Sequence, residues 1–210
     1  MKPQIIPAIL TSDQADLQNI LARLVGLTDW VSIDIADGIF VDTTTLTVND
    51  LRQSNIPFKL ELHLMVNNPQ SYFSSCRQVK ARRVIFHLET VEDVYGAIAE
   101  AKSYDFEVGL ALNPETDIQL LKPYVEDLDS VLLLSVRPGL QGQDFIPETL
   151  SKIKKIKINY PGLRVEVDGG IGIETIKQVV LAGADVLVVG SAIVKQSDFK
   201  EAIDNLKAKI

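Results

Sequence analysis

A single cysteine, Cys76, rules out any disulfide within the chain, and a lone thiol suits a reducing compartment. Long apolar runs are also missing. The N-terminal stretch Ile5–Leu10 is too short for a signal-peptide core, and no run approaches a membrane span. A cytoplasmic protein is the expectation. Positive charge is in deficit, with 21 Lys+Arg against 28 Asp+Glu and a formal net charge of -7. Broad attraction to nucleic acid or to an anionic membrane is thereby disfavoured. Only two histidines, His63 and His87, are available for proton or metal chemistry near neutral pH.

What remains is a globular composition, 46% hydrophobic and 23% charged over 210 residues, enough for one substantial core. Apolar, often β-branched runs recur at 5–10, 30–35, 59–65, 83–87, 107–112, 130–135, 163–168 and 186–189. Stretches with helical spacing lie between them. Their starts are marked by Ser12-Asp13 and by Pro, Thr, Gly or Ser near Pro69, Thr90, Thr116, Pro147, Gly172 and Ser197. The weakest of these, around Val48–Gln53, follows a threonine-rich segment. Eight strands alternating with about eight helices is the rhythm of an α/β protein, a (β/α)8 TIM barrel, here one domain over residues 1–210. A doubly wound sheet shares that alternation but gathers its functional residues at one switch point. Here the candidates close strands two, three, four and seven, as expected when all strand ends ring one mouth.

Those candidates follow from period-2 alternation along each strand. Ser32 shares a face with Asp34, Glu61 with His63 and Met65, and Glu166 with Asp168. Two aspartates facing one cavity repel, so one retains a proton while the other stays ionised. Such a pair suits removal of a carbon-bound proton on one face and its return on the other. For His87 the bland reading, a hydrogen-bonded packing residue, is preferred. Asp37-Gly38 and Asp168-Gly169-Gly170 also read as tight turns.

Glycines follow strands seven and eight, as Gly169-Gly170 and Gly190-Ser191, in the two loops that commonly bind phosphate in such barrels. The tract Arg137–Gln143, with Gly139 and Gly142, reads as a flap over the mouth. The lysine-rich run 152–157 reads as an amphipathic helix with solvated lysines, not a nucleic-acid site.

Taken together, several segments resemble the ribulose-phosphate 3-epimerase family over nearly the whole chain. They are Pro7–Leu10, Asp34–Val41, His63-Leu64-Met65, Ala111–Pro114, Pro138-Gly139, Gly142-Gln143 with Phe145, Val167–Gly170, and Gly183–Asp185 leading to Gly190–Ile193. The resemblance implies a ribulose-phosphate-binding type of barrel. It also implies an isomerase of the pentose phosphate pathway that interconverts D-ribulose 5-phosphate and D-xylulose 5-phosphate. Asp34 and Asp168 would be its acid/base pair, and Asp34, His63 and Asp168 its ligands to a divalent cation. Gly142, Gly169, Gly170, Gly190 and Ser191, with His63, would hold the phosphorylated sugar. A homo-oligomer is implied as well.

The chain departs from the family pattern near the expected site. Ser32 stands where the family has a metal-binding histidine, and a neutral hydroxyl is a poor replacement for imidazole. Ala8 replaces a serine, Gln141 a glycine of the flap, and Ala36 and Leu134 stand where methionines line the cavity. Asp42-Thr43 replaces a proline-asparagine pair, and Arg137 is a charge not usual there. One imidazole with two carboxylates favours manganese or magnesium over zinc, with iron also open. Two other readings stay open: an epimerase for another ketose phosphate with weak or no metal use, and a phosphosugar-binding barrel without turnover.

Overall fold

The computed structural model describes residues 2–210. Eight parallel strands close into a barrel in the order β1 to β8, each paired with its sequence neighbours and β1 with β8. They are β1 (Gln4–Ile9), β2 (Trp30–Ala36), β3 (Lys59–Met65), β4 (Arg83–His87), β5 (Glu107–Leu112), β6 (Ser130–Leu134), β7 (Arg164–Asp168) and β8 (Val186–Val189). Four of these ranges coincide with the apolar runs of the sequence, and the other four shift by a residue at one or both ends. The barrel is α/β as expected.

Alternation divides each strand between two environments. Odd residues of β2 (Val31, Ile33, Ile35) and even ones of β3 (Leu60, Leu62, Leu64) pack outward against the helices in the main core. The opposite face turns inward, where Ile6, Ala8, Trp30, Ile85, Ala111, Leu132, Leu134, Val186 and Val188 form a smaller apolar cluster. The inner face also carries Ser32, Asp34, Glu61, His63, Arg83, His87 and Glu166, all buried.

The helices are α1 (Gln14–Leu24), α2 (Phe73–Gln78), α3 (Val94–Ser103), α4 (Thr149–Asn159), α5 (Ile176–Ala182), α6 (Ser191–Val194) and α7 (Phe199–Lys207). Asp13 caps α1 by accepting from the N–H groups of Ala15 and Asp16, and Asp198 caps α7 through Glu201 N. Three expectations need correction. The helix expected from Thr90 begins at Val94, because Asp93, not Thr90, caps it through Gly96 N. The segment from Thr116 forms only 3-10 turns at Ile118–Leu121 and Val125–Asp127, since Pro123 cannot donate within a longer helix. The weak second helix is likewise a 3-10 turn, Asp50–Gln53.

The lysine-rich helix differs in part from its expected solvated pattern. In α4, Ile153 and Ile156 are buried and Lys154 and Lys155 exposed, but Lys152 and Lys157 are half-buried. Lys152 Nζ donates to the carbonyls of Asn113, Pro114 and Thr116, and Lys157 Nζ pairs with Asp185 at 2.9 Å. These lysines fasten loops instead of facing water. Cys76 is buried against the core, and burial pushes its thiol up to about 12, which keeps it unreactive. No helix among the described residues is long and apolar enough to cross a membrane.

Candidate active site

The C-terminal ends of the strands open on a cavity of about 400 Å³. Asp34, His63 and Asp168 form part of its wall, as do Gly142, Gly169, Gly170, Gly190 and Ser191. Asp34 and His63 are register partners on β2 and β3, so pairing of the strands sets them side by side. Asp168 comes from β7 and reaches them across the barrel interior. His63 Nδ1 lies 3.0 Å from Asp34 Oδ1 and 3.8 Å from Asp168 Oδ2. Potential ligand atoms of the three residues all fall within 4.8 Å of one another.

The turn readings hold alongside these side-chain positions. Asp37 Oδ1 accepts from the N–H groups of Ile39 and Phe40, and its Oδ2 accepts from Asn67 N, so Asp37 folds the loop after β2. Gly170 has φ +61°, and a Cβ there would stand 2.6 Å from the backbone of Phe145. Only glycine meets both demands. That tight turn keeps the chain after Asp168 close to the mouth.

Electrostatics separate the two aspartates. Burial raises the proton affinity of Asp168 well above the usual carboxylate range, and the charge of Asp34 adds to the effect. Burial works against the imidazolium form of His63, but the hydrogen bond and charge of Asp34, with Asp168 and Glu61, outweigh it and raise its proton affinity. A carboxyl with raised folded proton affinity loses stability as pH climbs, because the unfolded chain gives up its proton first. Asp168→Asn should therefore raise the melting temperature of the metal-free protein at pH 8. The gain should vanish below about pH 4, near the ordinary carboxylate value. Equal melting of parent and variant at pH 8 would contradict this assignment.

His87 is a hydrogen-bonded packing residue, as expected, yet it also touches the site. Its Nε2 lies 3.0 Å from His63 Nε2, its Nδ1 lies 3.3 Å from Glu89 Oε2, and its ring packs on Phe40 at 4.7 Å. Burial lowers the proton affinity of His87 to about 4, so the ring is neutral at pH 7. Burial alone would raise Glu89, but hydrogen bonds from His87, Thr116 and Asn113 N hold it down at about 2. A chain Asp34–His63–His87–Glu89 thus fixes the His63 ring at both nitrogens. Glu89 was not singled out in the sequence; the signal was its place two residues beyond His87 on a strand ending at the mouth.

The donor set fits a divalent cation: two carboxylates and one imidazole, convergent, with Asp34 and His63 buried and Asp168 half-buried, and with an open side toward the cavity. Ser32 adds no evident ligand. Its hydroxyl is buried without a hydrogen-bond partner, one step deeper than Asp34 on the same face.

Known proteins share both the sequence pattern and the barrel. A ribulose-phosphate 3-epimerase from Schizosaccharomyces pombe is 33% identical, covering 100% of this chain and 95% of that protein. The Bacillus subtilis enzyme of that name is 36% identical over 97% of this chain and 98% of its own, and the Escherichia coli enzyme 35% over 98% and 95%. Among solved structures, 3-hexulose-6-phosphate synthase from Salmonella typhimurium superposes with a TM-score of 0.76 at 17% identity, covering 98% of this chain and 97% of that one. KGPDC from Streptococcus mutans gives 0.73, at 13% identity over 100% and 97%, and such likeness speaks to the fold alone. The family model described as the ribulose-phosphate 3 epimerase family matches residues 4–194, and the chain belongs to that family.

Proposed function

We propose that the protein interconverts D-ribulose 5-phosphate and D-xylulose 5-phosphate by proton transfer at C3 between Asp34 and Asp168. Membership of the family makes it an isomerase acting on carbohydrate phosphates. The observation that carries this proposal is the meeting of two carboxyl groups, buried Asp34 from β2 and half-buried Asp168 from β7, at the same nitrogen of His63.

The chemistry follows from their unequal protonation. In the metal-free site burial and the charge of Asp34 favour the protonated form of Asp168, which leaves Asp34 as the carboxylate placed to take the C3 proton from one face of the sugar. Asp168 returns a proton to the opposite face, and the roles exchange in the reverse direction. Without a cation, His63, held by His87 on its far side, keeps Asp34 in orientation through the 3.0 Å hydrogen bond; as a ligand its Nδ1 would give up that bond. Asp34, His63 and Asp168 would hold a divalent cation, manganese or magnesium by their hard donor character. Such an ion would supply positive charge to offset the negative charge that develops as C3 is deprotonated.

For the phosphate, the backbone N–H groups after β7 and β8 are the candidates, at Gly169, Gly170, Gly190 and Ser191. Lys195 joins them on the cavity wall and brings a positive charge into an acidic protein. The homo-oligomer implied by the family remains part of this reading, as does a cytoplasmic location, the setting named for the rice isoform that is 34% identical. A phosphosugar-binding barrel without turnover is the competing reading, favoured by the unpartnered Ser32 hydroxyl.

Chelator-stripped protein, assayed in D2O with Mn²⁺, Mg²⁺, Zn²⁺ or Fe²⁺ added singly, separates the two. Deuterium incorporation at C3 should rise by roughly a hundredfold or more with at least one of these ions. No incorporation with any of them would end the epimerase reading for this substrate.

A further inference from the structure

The flap Arg137–Gln143 is tied mostly to itself and to the loop after β2. Gln143 Nε2 donates to the carbonyls of Arg137 (2.6 Å) and Leu140 (2.9 Å), and Thr43 Oγ1 donates to Gly139 O at 2.6 Å. Gln141 behaves differently. Its side chain turns into the cavity, and its Nε2 is shielded from solvent with no hydrogen-bond partner.

The surroundings explain the missing partner. A Cβ placed on Gly190 would stand 3.1 Å from Gln141 Nε2 and 3.9 Å from the Cβ of Ala8. The amide therefore lies against Gly190, which has no side chain, and Ala8 beside that glycine offers no polar side chain either. Glycine at 190 is what makes room for it. A carboxamide nitrogen has two N–H donors, and leaving it dry and unpaired is unfavourable unless something else supplies an acceptor. Gly190 begins the loop assigned above to the phosphate, so the acceptor nearest to hand is a phosphate oxygen.

We propose that Gln141 is a ligand-binding residue whose amide N–H donates to the phosphate group of the substrate seated against Gly190. This rests on the phosphorylated-sugar reading of the cavity. It assigns to the flap a direct polar contact beyond covering the mouth. Two departures from the family pattern, Ala8 and Gln141, meet at this point, with a side-chain donor coming from the flap instead of from β1.

The test is inorganic phosphate binding to the full chain by calorimetry. Gln141→Met keeps the length of the side chain and removes the donor, while Gln141→Glu replaces the donor with a repelling carboxylate. Loss of one hydrogen bond to a charged group predicts affinity weaker by on the order of tenfold to a hundredfold for Gln141→Met, and weaker still for Gln141→Glu. Circular dichroism and melting temperature check that both variants fold. Either folded variant binding phosphate as tightly as the parent, or a parent that binds none at millimolar concentration, overturns the proposal. Deuterium exchange at C3 in the parent is a separate readout. A phosphate-affinity shift in a protein that never exchanges C3 supports the Gln141 contact while ending the epimerase reading, and normal exchange with unshifted affinity does the reverse.

Discussion

Asp34→Asn and Asp168→Asn should each lower net epimerisation by about 10³-fold or more, while each variant still exchanges the C3 proton of one isomer with solvent. The asymmetry follows from the two-sided site. On the proposed two-sided mechanism, ribulose and xylulose 5-phosphate present their C3 hydrogens to opposite faces, so each isomer would have one carboxylate positioned to remove its proton. Losing Asp34 leaves Asp168 able to deprotonate one isomer and return a deuteron to the same face. The product is labelled starting material. Asp168→Asn should show the mirror image, labelling the other isomer. Proton NMR in D2O with each pure isomer reads the outcome directly. A single base swinging between faces would instead lose exchange of both isomers with one variant and neither with the other. Asn is chosen because it keeps the shape of Asp and can still hydrogen-bond His63, so the fold of the mouth is retained.

Much of this geometry was legible in the chain because period 2 is a strong constraint in a closed parallel barrel. A residue at the end of β2 and one at the end of β7 face the same interior once alternation is fixed at each strand. That is why Asp34, His63 and Asp168, taken from the sequence, converge in the structure. The connections were less legible. Helical spacing after Thr116 and around Val48 reads as helix on apolar periodicity, yet the structure makes 3-10 turns there. Propensity is a weak prior where the loop is short and prolines interrupt it. The lysines of α4 show a second gap, because the pattern gives their direction but not the carbonyls waiting for Lys152. Contacts between distant loops leave no periodic trace. The same holds for Gln141, which stood out as an unusual flap residue while the neighbour that gives it room, Gly190, lies far along the chain.

Arg83→Met should destabilise the protein by about 3–5 kcal/mol, with melting lowered by roughly 10 °C. Arg83 opens β4 on its inner face and is only 2% exposed, a full charge in the barrel interior. Its Nη1 lies 2.7 Å from Glu61 Oε2 and 3.0 Å from Glu166 Oε1, its Nη2 lies 2.8 Å from Glu107 Oε2, and its guanidinium sits 4.6 Å from the Trp30 ring centre. Glu61 and Glu166 are themselves fully buried, one step below His63 and Asp168 on the same strands. Without the cation these carboxylates face each other in a dry layer, and burial with the charge of Glu61 already holds Glu166 above its ordinary proton affinity. Removing one partner of a buried cluster leaves uncompensated charge, which is why the expected cost exceeds that of an exposed pair. The sign of the pH effect follows. The unfolded chain releases the Glu166 proton near the ordinary glutamate value of 4.5, and the folded variant holds it longer, so its deficit should grow as pH rises above that point. Below it Glu166 is protonated in both states, and what remains is lost packing and cation–π contact. Adding Glu61→Gln and Glu166→Gln to Arg83→Met removes the stranded charge and should recover most of the stability at pH 8. Thermal melts of the parent, the single variant and the triple variant at pH 4 and pH 8 decide it. A single variant as stable as the parent at pH 8 would mean that Arg83 serves packing alone, and that the floor of the active site does not depend on its charge.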